Sequence, residues 1–134
     1  MGLFRGKGTT PDSGPPVQPP DELAARARLE YGHARFAAAA ELYSEAVDKL
    51  HTMYVMGQCT YRQPSSSDKL ITDGLTSAVG AALAENSSVA VRGLIERSSG
   101  YLNEILQLPQ TQPMSSMYES AAVELTRLYK AATH

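Results

Sequence analysis

The chain has 134 residues, 43% of them hydrophobic, and a formal charge of −2 from 12 basic and 14 acidic side chains. That length suits one modest core, because a folded unit of about 110 residues buries roughly two-thirds of the surface its unfolded chain exposes. The charges are interspersed, +1 over residues 1–20, −2 over 21–50 and −1 over 51–134, which excludes the strong field that recruits nucleic acid or anionic lipid.

Cys59 is the only cysteine, so an intramolecular disulfide and any multi-cysteine metal site are excluded. Its presence alone fits a reducing compartment. No apolar run approaches the roughly 20 residues needed to cross a bilayer, and the N-terminus lacks the apolar core of a secretory signal. The expected location is cytoplasmic. Met1-Gly2 opens like a myristoylation signal, but Gly6 stands where that motif needs serine or threonine.

Residues 1–20 hold Pro11, Pro15, Pro16, Pro19 and Pro20 with Gly2, Gly6, Gly8 and Gly14. Such a stretch has too little apolar mass to offset its ordering entropy and is expected to be a disordered tail. Leu3 and Phe4 beside Arg5 and Lys7 give its start the composition of a short interaction motif.

The remainder, 21–134, reads as one helical-bundle domain of about five helices. A first helix is expected after Pro20, with Asp21 and Glu22 complementing its dipole, running through Leu23, Ala27, Leu29 and Tyr31 to Gly32 or His33. The second is the longest: positions 36, 39, 40, 43, 46, 47, 50, 53, 54 and 57 are apolar or small, the three-then-four spacing of one helix face. Its other face carries Glu41, Ser44, Glu45, Asp48 and Lys49, where Glu45 and Lys49 stand four apart and read as a salt-bridged surface. Pro64 closes it.

The Ser65–Asp68 cluster offers a cap for a third helix with Leu70, Ile71, Leu75, Ala78, Val79, Ala82 and Leu83 on its apolar stripe. Gly74, Gly80 and many alanines make it thin, which predicts close approach and a central position. Asn86, Ser87 and Ser88 cap a fourth helix burying Val91, Leu94, Ile95, Ser98, Tyr101, Leu102, Ile105 and Leu106. After Pro109 and Pro113, Ser116 and Glu119 have capping-box spacing and open a fifth helix with Ala121, Ala122, Leu125, Leu128, Tyr129 and Ala132 inward. No segment alternates with period two, so a sheet is not expected.

Gly32, Phe36, Ala39, Tyr43 and Ala46 follow one another as in the second helix of a tetratricopeptide repeat, and the stretch over residues 21–50 also resembles the microtubule-interacting and trafficking domain. The resemblance implies a helical hairpin that binds peptides. No second copy follows at the repeat's spacing, and Arg26 and Glu30 stand where the repeat has larger apolar groups, so one hairpin within a larger bundle is expected.

Chemistry finds little footing in these residues. His33, His51 and His134 are isolated, without the convergent spacing a zinc site needs. Cys59 has no neighbouring histidine base, and Gly6-Lys7-Gly8-Thr9 lacks the spaced glycine and preceding strand of a phosphate loop. Arg26, Arg28 and Arg35 form no stripe with interleaved aromatics. No catalytic residue, metal or cofactor is expected.

What remains is a surface. The chain has seven tyrosines and five methionines, residue types favoured at interfaces. Met53, Tyr54, Met56 and Tyr61 continue past the part of the second helix that its shorter hairpin neighbour covers, and are the candidate partner-binding residues. The expected function is a non-enzymatic interaction module for a protein or peptide, with surplus apolar face allowing a homodimer and no nucleic-acid or membrane partner. The alternative is a small-molecule-binding or enzymatic bundle with Tyr43, Tyr54, Tyr101 or His51 facing an internal pocket.

Overall fold

In the computed structural model the residues described are 19–55, 66–85, 89–108 and 115–132. They form five α-helices, α1 Pro20–Gly32, α2 Phe36–Val55, α3 Ser66–Glu85, α4 Val89–Leu106 and α5 Ser115–Ala132, with no strand among them. The all-α bundle expected from the apolar periodicity is what the chain adopts. The predicted tail, up to residue 18, and the caps expected at Ser65 and at residues 86–88 lie outside the described residues.

Each helix runs antiparallel to the next, as the side-chain pairings reveal. Ser44 meets Ser98 and His51 meets Glu104, so α2 and α4 run parallel. Asp68 meets Tyr118, and Gly80 lies nearest Leu128, so α3 and α5 also run parallel. Packing closes the ring α2, α3, α5, α4 and back to α2, while α3 and α4 touch little and α1 lies on α2 and α3. This is a four-helix bundle with α1 as an extra brace.

The core is small-residue rich on α2 and branched elsewhere: Ala39, Ala40, Ala46, Val47 and Leu50 are buried against Ile71, Leu75, Val79, Ile95, Leu102, Ile105 and Leu125. The α1–α2 turn is a Schellman motif, with the Arg35 amide donating to the Glu30 carbonyl and the Ala34 amide to that of Tyr31. Ala34 takes the left-handed residue of that motif, φ 61°, where a glycine would carry no β-carbon penalty. Tyr31 and Phe36 stack edge-on across the turn, centroids 5.0 Å apart.

Several expectations are corrected. Leu29, Tyr31 and Leu70 are exposed although their apolar character argued for burial; Leu29, for one, stands two residues and so about 200° from the buried Ala27, on the outer side of α1. Ser44 is buried, because α4 packs against that side of α2 and supplies Ser98 as its partner. The expected Glu45–Lys49 pair does not form; ion pairs among the described residues include Arg35–Glu30, Lys69–Asp73 and Arg127–Glu124, together with His51–Glu104 when the imidazole is protonated. The fifth helix starts at Ser115, so Ser116 sits inside its first turn and not at the cap. The central position expected of α3 holds in that it touches all four other helices, while α2 packs most extensively, on α1, α3 and α4. The thinness of α3 is used locally: a β-carbon at Gly74 would lie 2.3 Å from Cζ of Tyr43.

Two glycine substitutions should therefore move stability in opposite directions. Gly74→Ala forces the buried Tyr43 ring aside and should cost about 1–3 kcal/mol. Gly100→Ala, with nothing within 4 Å of the added carbon, should gain about 0.5–1 kcal/mol of helix propensity. Urea unfolding of the two variants beside the parent chain checks both signs.

Candidate functional site

Buried polar groups first decide which surfaces are built and which are incidental. Asp68 stands in the first turn of α3 with no exposed surface, and the hydroxyls of Tyr54 from α2 and Tyr118 from α5 both donate to its Oδ2, at 2.8 and 2.5 Å. A carboxylate at that place is favoured by the positive end of the helix dipole and by the amides that the first turn leaves without helical partners. Two consecutive helices and a third, 50 residues further along the chain from Asp68, are thereby clasped at one end of the bundle. Burial, the Asp68 charge and the hydrogen bond to it, in that order, push the Tyr118 phenol far above its ordinary value.

The clasp fixes the start of α5, and a second bond fixes its far end, where the Tyr129 hydroxyl donates to Glu96 of α4 at 2.7 Å. Between these points α5 leaves a furrow along its seam with α4. One part, a cavity of about 550 Å³, has Leu106, Ala122 and Val123 on its apolar side and Asn103, Glu119 and Arg127 on its polar side. A second, of about 240 Å³, involves Ile95, Ser99 and Tyr129 and shares Thr126 and Lys130 with the first. From Glu119 to Lys130 the furrow follows α5 for roughly 16 Å at 1.5 Å per residue. Val123 on its lip is 64% exposed.

A further groove of about 500 Å³ lies between α1 and α2, where Leu29, Ala38 and Leu42 are bordered by Glu41 and Glu45. Glu30 beside them is bound by the Arg35 guanidinium, with Nη1 3.2 Å from each carboxylate oxygen.

The residues singled out from the sequence do not gather into one patch. Tyr54 is 1% exposed and belongs to the Asp68 clasp, so it cannot present its ring to a partner; α3 and α5, absent from any hairpin argument, cover it. Met53 is half-buried, and Met56 and Tyr61 lie outside the described residues. Tyr43 is packed under Gly74, its phenol raised by burial against the opposing pull of Arg28. His51 binds Glu104 Oε1 through Nε2 at 2.6 Å and lies 4.9 Å from the Tyr101 ring. None of these four groups, Tyr43, Tyr54, Tyr101 or His51, lines the three cavities above.

Among the described residues no three histidine, cysteine or carboxylate groups converge for a metal, and no helix is long and apolar enough to cross a membrane. Comparison with protein-family models, with curated proteins and with solved structures gave no match to this chain.

The sequence reading missed the furrow because its parts lie on two helices and look ordinary on each. Val123 was the available signal: it is a large apolar side chain off the buried stripe of Tyr118, Ala121, Ala122 and Leu125.

Removing the Tyr118 hydroxyl while keeping its ring, Tyr118→Phe, should cost about 1.5–3 kcal/mol in urea unfolding, the range for a hydrogen bond to a charged acceptor. A phenol held above its unfolded value of about 10 contributes stability that is complete below pH 10 and is lost as pH rises further. The parent chain should therefore weaken above pH 10 by up to about 1.4 kcal/mol per pH unit for this group, and Tyr118→Phe should remove that share of the slope.

Proposed function

We propose that this protein is a non-enzymatic interaction module that binds a partner protein through the α4–α5 furrow, the partner supplying an amphipathic helix. The observation that carries this reading is Val123, two-thirds exposed above an apolar floor of Leu106 and Ala122. Leaving a branched apolar side chain in water forgoes roughly 1.5–3 kcal/mol relative to burying it, and a covering helix recovers that stabilisation. The furrow's shape suits a helix, whose anchors recur at three and four residues and seat between two parallel ridges.

Charges on the furrow's border are of both signs, Glu96 and Glu119 against Arg127 and Lys130, a pattern that favours one register of the incoming helix over its reverse. Arg127 is already held by Glu124, Nε to Oε1 at 2.9 Å and Nη2 to Oε2 at 2.6 Å. The likeness of the α1–α2 hairpin to peptide-binding helical repeats supports the same class of function. So does the use of the polar pairs as ties between helices: Tyr54 and Tyr118 on Asp68, Ser44 on Ser98, His51 on Glu104 and Tyr129 on Glu96 join elements and do not converge on a vacant point.

A photo-reactive side chain at position 123, introduced into the full chain and activated in its native cell, should cross-link to one stable protein partner. Val123→Asp should weaken capture of that partner at least about tenfold, through the cost of burying an unpaired charge, with its unfolding midpoint unchanged. A partner whose capture ignores Val123→Asp, or no partner at all, overturns the reading, and cross-links to a second copy of the chain replace it with self-association.

A further inference from the structure

The α1–α2 groove differs from the furrow in one respect that specifies its occupant. Its apolar surface includes Leu29, 65% exposed, with Ala38 and Leu42, and its border on α2 is acidic. Glu30 is neutralised by Arg35, but Glu41 and Glu45 make no ion pair among the described residues. Arg26 also borders the groove, so once the Glu30–Arg35 pair is set aside the lining keeps one carboxylate in excess, and both remaining carboxylates, Glu41 and Glu45, lie together on the α2 side. The complementary ligand is therefore a short segment with bulky apolar side chains next to positive charge.

This chain contains such a segment. Residues 3–7 read Leu-Phe-Arg-Gly-Lys, two large apolar groups followed by two cations within five positions. Residues 8–19 join them to the start of α1. Leu29 lies roughly 14 Å along α1 from Pro20 at 1.5 Å per residue, and twelve residues that include Pro11, Pro15, Pro16 and Pro19 can extend to roughly 37 Å at about 3.1 Å each. The connection can double back along α1 with length to spare.

We infer that residues 3–7 dock in cis in the α1–α2 groove, Leu3 and Phe4 against Leu29 and Leu42 and the two cations toward Glu41 and Glu45. Tethering supplies an effective concentration of about 1 mM, so an intrinsic dissociation constant of about 1 mM already gives half occupancy. The segment thus shields Leu29 from water and from other proteins, and a basic, apolar peptide elsewhere must displace it to use this face. The inference rests on α1 and α2 and stands apart from the fate of Val123.

The test uses the full chain with Cys59→Ser and a nitroxide on Gly2→Cys. Backbone amides of Leu29, Glu41, Leu42 and Glu45 should lose at least about half their signal intensity at the occupancy just given, while those of Glu124 and Arg127 keep theirs. Glu41→Lys with Glu45→Lys should abolish the loss, and adding Arg5→Glu with Lys7→Glu should restore it; unchanged shifts in α3–α5 report that the fold survives. No attenuation, attenuation spread over all helices, attenuation that ignores the charge reversals, or attenuation seen between separately labelled chains and not within one, would each overturn the inference.

Discussion

The bundle depends on a buried negative charge. Desolvating a carboxylate costs several kcal/mol, and a protein tolerates it only where donors replace the lost water. Asp68 has two phenol donors from helices far apart in sequence and a place in the first turn of α3, where backbone amides and the dipole favour an anion. Each donor is itself fully buried, so any arrangement that separates α2, α3 and α5 at this end leaves a charge or a hydroxyl unsatisfied in the core. Apolar packing holds these helices together; the clasp decides which ends meet.

The position of every later feature follows from it. With its first turn clasped to Asp68, α5 is parallel to α3 and antiparallel to α4, and its apolar stripe of Ala121, Ala122 and Leu125 turns inward. Val123, two residues from the first of these and two from the last, must then point outward. The furrow beside it runs along the outer side of α5 and ends where Tyr129 is tied to Glu96 of α4. Tyr118 and Tyr129 are eleven residues apart, three turns, and so leave from the same side of the helix toward different partners.

The helices were legible because burial imposes period 3.6 on each of them separately, and one chain segment suffices to read it. The stripe on α2 from Ala39 to Tyr54 and that on α4 from Val91 to Ile105 are buried nearly residue for residue as their spacing demands. Partner choice was not legible. Ser44 and Asp68 look like surface residues by type, and only the arrival of Ser98, Tyr54 and Tyr118 from other helices makes their burial affordable. Tyr54 was selected as a contact residue on a correct observation, that α2 outruns α1, but the uncovered length is taken by α3 and α5. The same blindness hid the furrow, since a groove is a property of two helices, and Leu106 and Ala122 each look like unremarkable margins of their own stripes.

The hydroxyl pair between α2 and α4 has one more consequence. Ser44 and Ser98 bond at 2.8 Å in the interior, and seven residues further along α2 and six along α4 the same two helices are bound again through His51 and Glu104. Sliding α4 by a single turn, about 5.4 Å, would strand both serine hydroxyls in apolar surroundings and misalign the second pair. The helix therefore has one seat, and the register of the wall that it contributes to the furrow is set by two serines that do not line it.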